Sequence, residues 1–248
     1  MINGELTDDL IREGWQSMVD LDISANRLEG PLPSMIWSMP LLEVVDIHGN
    51  DFNGQIPEVV GVARNLVYVG VQDNSLDGTI PESISNMEKL RHLDVSANNL
   101  VLPFPQSMEL MTTLEALYTG INGFTAHPVP AWLSVMTNLK ELSMKQNQLT
   151  GAIPGFLGNL LNLQVLDLDF NKLNGAIPAV SRTLVTEMSN VYYAYDQFSS
   201  SLTNIFYLFF LETYVVNLGT WKIDSTGYVD AESEFLGWHY PGFVFWLD

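Results

Sequence analysis

Cysteine is absent from this chain of 248 residues. No disulfide can brace the fold, and ligase or protease chemistry that runs through a thiolate is excluded by composition. Positive charge is scarce: ten Lys and Arg stand against 29 Asp and Glu, for a formal net charge of −19. Nucleic acids and anionic membrane surfaces demand clustered cations, and the sequence has no basic run. Catalytic signatures are missing too, with no GxxxxGK[ST], no HRD or DFG pair, no HExxH and no GxSxG. A non-enzymatic protein without a cofactor and without a nucleic-acid partner is expected. Met1 is followed by INGELTDDLIREGW, which has neither the basic start nor the apolar run of a signal peptide.

The chain is rich instead in self-similarity. NQLTGAIP at Asn147 and NKLNGAIP at Asn171 are nearly one phrase written twice, 24 residues apart. Stepping by 24, with one inserted residue, places Asn26, Asn50, Asn74, Asn98, Asn122, Asn147 and Asn171 in one register. Each closes an apolar frame: MVDLDISAN, LEVVDIHGN, LVYVGVQDN, LRHLDVSAN, LEALYTGIN, LKELSMKQN and LQVLDLDFN. A period in this range is the signature of a solenoid, in which no coil buries its apolar face alone and successive coils must stack. Alternation in LDLDF puts Leu166 and Leu168 on one side of a strand and Asp167 and Asp169 on the other. The asparagines are expected to turn inward, bonding backbone groups that the bends leave unpaired.

The frame LxxLxLxxNxLxGxIPxxLxxLxx resembles the plant-type leucine-rich repeat of receptor-kinase ectodomains and polygalacturonase-inhibitor-like proteins, over residues 18–184. That resemblance implies an α/β solenoid, a right-handed superhelix with a parallel sheet on its concave face. It divides the chain into 1–17, a partial or degenerate N-terminal repeat or cap; 18–184, seven repeats; and 185–248, a nonrepeat tail. It also implies a noncatalytic, receptor-like recognition module whose partner is a protein, a peptide or a glycan. The alternatives are a cytoplasmic structural scaffold and an inhibitor of a secreted hydrolase. Membership implies the cell surface, but the paired cysteines that usually cap secreted members are absent here, so a cytoplasmic protein stays open. INGEL resembles the tail of a repeat, as in a chain that begins inside a longer array. Membrane association is expected only if the full-length protein carries a span.

Solenoids offer partners their concave face. Alternate strand positions place Tyr68, Gln72, His92, Tyr118 and Lys145 there, with Tyr68 and His92 on adjacent rungs and Tyr118 within reach of His92. These five are the candidate ligand-binding residues, and a glycine beside each tyrosine is expected to leave a shallow step. Asp22, Asp46, Asp94 and Asp167 form an acidic row that invites a calcium or acid–base reading, yet Gly70, Tyr118 and Ser143 interrupt it. The histidines lack ligand spacing for zinc, so no metal is expected. NNLVLPFPQSM and NGFTAHPVPAWL depart from GxIP and should disturb the outer edge locally.

The tail holds seventeen Phe, Tyr and Trp residues and one basic residue, Lys222. Its stretch SLTNIFYLFFLETYVVNL reads as a cap over the solenoid's end or as a membrane span, and HYPGFVFW as a hairpin.

Overall fold

The computed structural model describes residues 1–174 and 190–192. The apolar stretch 201–218, the hairpin signal and most of the tail lie outside the described residues. Strands of three residues, Asp20–Asp22, Val44–Asp46, Tyr68–Gly70, His92–Asp94, Ala116–Tyr118, Glu141–Ser143 and Val165–Asp167, run parallel in one sheet, each paired with its neighbours in sequence. Asn190–Tyr192 adds an eighth strand beside Val165–Asp167, in the register Val165↔Asn190. No repeat frame announces that strand.

Period-two alternation sets the faces. The central residues Leu21, Val45, Val69, Leu93, Leu117, Leu142 and Leu166 are buried at 5% exposure or less, while their flanking neighbours line the concave surface. Behind them stand Phe52, Leu76, Leu100, Phe124, Leu149 and Leu173, one per coil and all within 2% exposure. Each such side chain contributes about 1.5–3 kcal/mol relative to leaving it in water. The outer face is made of single 3-10 turns, such as Glu58–Val62, Glu82–Asn86 and Gly155–Asn159, each launched by a proline. An α-helix, Asp8–Gly14, stands at the N-terminal end with Ile11 fully buried.

The asparagine ladder explains why one residue type recurs. Asn50 Nδ2 donates to Ile47 O and His48 O of its own turn and to Ile23 O one coil back, at 3.1, 3.2 and 3.1 Å. Its Oδ1 accepts Leu28 N–H at 2.9 Å. Asn98 and Asn171 repeat the pattern. Asn50, Asn98, Asn147 and Asn171 are buried, whereas Asn26, Asn74 and Asn122 are half-buried. The residue before each ladder asparagine, Ala25, Gly49, Asp73, Ala97, Ile121, Gln146 and Phe170, has positive φ, between 49° and 62°. That left-handed bend swings the amide inward, at a steric cost for every L-residue.

A second sheet forms where the phrase after the asparagine is regular. Asn3–Glu5, Arg27–Pro31, Asp51–Gln55 and Ser75–Asp77 make four strands, and Thr150–Gly151 pairs with Lys172–Leu173. INGEL thus occupies the place of a repeat's post-asparagine segment, with Ile2 N–H donating to Asn26 Oδ1 at 2.7 Å. The sheet lapses in the two irregular coils. LVLPFP lacks the glycine that supplies positive φ at Gly30, Gly54 and Gly78, and Pro103 has no N–H to pair. An aromatic cluster packs there: Phe104 lies 4.6 Å from Phe124, 5.5 Å from His127 and 5.7 Å from Trp132, centroid to centroid.

Coil five carries a further departure. Thr119 is fully buried at the position where other coils place Val71, Val95, Met144 or Leu168. Asn147 Nδ2, displaced by the extra residue of that coil, donates to Thr119 O at 3.0 Å and reaches Thr119 Oγ1 at 3.4 Å.

Candidate aromatic step on the concave face

Strand register decides which side chains meet. Tyr68 pairs with His92, and His92 with Ala116, so the Tyr68 and His92 rings stand side by side on adjacent rungs. Their centroids are 4.4 Å apart and their planes 17° from parallel, a stacked pair. Tyr118 pairs with Asp94, two residues along, and its ring tilts against His92 at 5.3 Å and 44°. Three rings from three coils thereby form one step across the sheet. Gln72 lies beside the Tyr68 hydroxyl and favours its ionised form, while Gln72 Oε1 is buried without a donor. Four of the five candidate residues are contiguous. Lys145 is set apart: its Nζ lies 3.9 Å from Asp167 Oδ2, one rung further along.

The expected hollows beside the tyrosines are not there. A Cβ on Gly70 would meet the Tyr68 ring at 2.9 Å and Asp46 Oδ1 at 3.0 Å, because Tyr68 folds over its own strand and occupies that space. On Gly120 it would meet Lys145 Cγ at 2.9 Å, since the lysine stem covers the glycine. The glycines are therefore seats for these side chains, and a ligand on the concave face meets the rings rather than bare backbone.

Burial and negative charge tune the step. Burial pushes the Tyr68 hydroxyl up, with the carboxylates of Asp46 and Asp94 adding to it. Tyr118 is raised further, by burial first and then by its hydrogen bond to Glu141 Oε2. Burial lowers His92 against the pull of Asp94, Glu141 and Asp46, so the imidazole is neutral at pH 7. Burial also raises the Asp94 carboxyl, offset by hydrogen bonds from Ser96. Glu141, Asp46 and Asp94 thus belong to the site. They stood on concave positions in the sequence, but nothing there showed that they face the rings.

The acidic row has a local structural task. Asp22 Oδ1 accepts Ser24 N–H at 3.0 Å and Ser24 Oγ–H at 2.6 Å; Asp94 does the same for Ser96, at 2.9 and 2.6 Å. Asp46 Oδ1 meets His48 Nδ1 at 2.7 Å, and Asp167 Oδ1 accepts Asp169 N–H at 3.1 Å. Each carboxylate closes the bend that leads out of its strand. Among the described residues, no group of three His, Cys, Asp or Glu side chains is placed to hold a metal ion. No helix of the described residues is long and apolar enough to cross a membrane. A hollow lined by Glu5, Thr7, Asp8 and Pro31 lies among the N-terminal residues and shares no residue with the aromatic step.

A stack of parallel coils presenting a regular concave sheet defines a solenoid binding scaffold. Comparisons with known proteins give it a family. Residues 137–181 match the model for leucine-rich repeats in two copies, and residues 65–87 the model for a single leucine-rich repeat. The repeats are leucine-rich repeats of the plant type. Its fold is similar to that of the plant peptide hormone receptor RGFR1 in complex with RGF2, with 27% identity, a TM-score of 0.73, and coverage of 79% of this chain and 31% of that one. A TDR receptor gives 27%, 0.71, 79% and 33% in the same order. The Arabidopsis receptor kinase HAESA, in complex with the peptide hormone IDA and the co-receptor SERK1, gives 29%, 0.63, 73% and 34%. The chain therefore spans about a third of the length of these structures. No curated protein matches it by sequence.

Proposed function

We propose that the chain is a noncatalytic, receptor-like recognition module that holds a peptide or protein segment on its concave face. The observation that carries this reading is the step of Tyr68, His92 and Tyr118, three half-buried rings from successive coils on a rigid parallel sheet. Tyrosine is a favoured interface anchor, because a large amphipathic ring offers contact area at low entropic cost. Gln72 supports the first ring, and Lys145 borders the site beyond Tyr118. The similar plant receptors whose structures hold peptide hormones make an extended peptide the leading partner class.

The test is selection of a random peptide library on the chain, followed by affinity measurement with the variant Tyr68→Ala/Tyr118→Ala. Loss of more than about 2 kcal/mol of binding at an unchanged melting temperature is expected for exposed anchors. Affinity that instead follows substitutions at Phe104 or His127 would move the site to the irregular outer turns.

A further inference from the structure

We infer that the segment held at this step is cationic, an arginine-bearing peptide whose guanidinium lies beside the rings among the carboxylates of Asp46, Asp94 and Glu141. The inference rests on the concave-face reading and names the chemistry of its partner. Charge is its first support. Asp46 Oδ1 and the Tyr68 ring meet above Gly70, Asp94 stands one rung on, and Glu141 accepts the Tyr118 hydroxyl hydrogen bond from the far side. The rings are thus bordered by carboxylates on both flanks. The cations on these rungs are engaged elsewhere, Arg91 and Lys140 with Glu115 and Lys145 beside Asp167, so that Asp46, which meets His48 Nδ1, and Asp94 have no lysine or arginine partner among the described residues.

Hydrogen-bonding capacity points the same way. The Tyr118 hydroxyl proton is committed to Glu141, so the groups that border the rings offer acceptors and no free donor from that hydroxyl. A site of carboxylates beside aromatic rings is matched by a ligand that only donates. Guanidinium has five donors, no acceptor and a flat face that stacks on aromatic rings. An ammonium ion supplies the charge without the stacking plane, and an acidic segment would meet like charge on both flanks.

The experiment uses the full chain and an unbiased random peptide library. Selected peptides should be enriched in arginine. Replacing those arginines by citrulline, which keeps the shape and removes the charge, should weaken binding at least about tenfold, and replacing them by lysine by a smaller factor. The variant Asp46→Asn/Asp94→Asn/Glu141→Gln keeps the acceptor oxygens that close the bends and receive Tyr118, and should also lose about tenfold. Glu29→Gln/Glu58→Gln/Glu109→Gln makes the same change in net charge at exposed sites elsewhere and should lose less than about threefold. Equal loss in both triples, or citrulline peptides that bind as well as arginine ones, would overturn the inference. Neutral or acidic peptides that depend on Tyr68 and Tyr118 would overturn it too while leaving the concave-face reading intact. Peptides indifferent to both tyrosines would overturn that reading itself.

Discussion

Replacing Asn98 by leucine removes four hydrogen bonds at once, yet they are unequal in consequence. Three are donations, to Val71 O, Val95 O and Ser96 O. Each of those carbonyls keeps a second donor: Val71 O has Asn74 Nδ2, Val95 O has Asn122 Nδ2, and Ser96 O has Asp73 N–H. The fourth bond is different, because Leu76 N–H has Asn98 Oδ1 as its acceptor, at 2.9 Å in a buried setting. The substitution therefore orphans one buried donor, at about 1–3 kcal/mol. Asn171 Oδ1 serves two buried N–H groups, of Asn147 and Leu149, and Asn171 Nδ2 donates to Met144 O and Leu168 O, so Asn171→Leu should cost at least about twice as much. Asn26 Oδ1 serves the exposed Ile2 N–H, which water can satisfy, so Asn26→Leu should cost least. Urea unfolding followed by circular dichroism would rank the three. An unchanged midpoint for Asn98→Leu, or equal losses at Asn26 and Asn171, would refute the shared-carbonyl account.

Ile121 is β-branched, has a φ of 57° and occupies the place that Gly49 takes in its own coil; Ile121→Gly should stabilise by up to about 1 kcal/mol in the same urea assay, strain relief exceeding glycine's entropic cost. Thr119→Val should change stability by less than about 1 kcal/mol, because Asn147 Nδ2 keeps Thr119 O at 3.0 Å and the bond to Oγ1 is long; a large loss would show that the hydroxyl is needed. His92 and His127 are both held below the ordinary 6.5 by burial, so the unfolded chain binds their protons more readily. Their contribution to stability is complete above about pH 6.5 and is lost as pH falls through the lowered folded values. The urea midpoint should drop on acidification from that point, and His92→Gln/His127→Gln should flatten the slope.

Much of this protein is legible without coordinates, because a repeat signals itself at short range. Each coil carries its own strand, bend and plug, and Leu142 or Asn98 needs only its place in the frame to be assigned to the core or the ladder. The rungs Tyr68, His92 and Tyr118 were assigned to one face for the same reason. What tertiary structure decided lies between coils. Whether Gly70 is a hollow depends on which way the Tyr68 ring falls, and it falls over the glycine. The acidic row is interrupted already in the sequence, but only the structure shows what its carboxylates do, each closing its own bend as Asp94 does with Ser96. Glu141 joined the site only when register carried it to the Tyr118 hydroxyl, and only the stacked coils show Asn147 Nδ2 on the carbonyl of the buried Thr119. Neither the eighth strand nor the aromatic cluster at Phe104 follows a repeating phrase. Periodicity is a property of neighbours in sequence, whereas rotamers, cross-coil pairs and desolvation depend on residues about 24 positions away, and only the stacked chain brings those together.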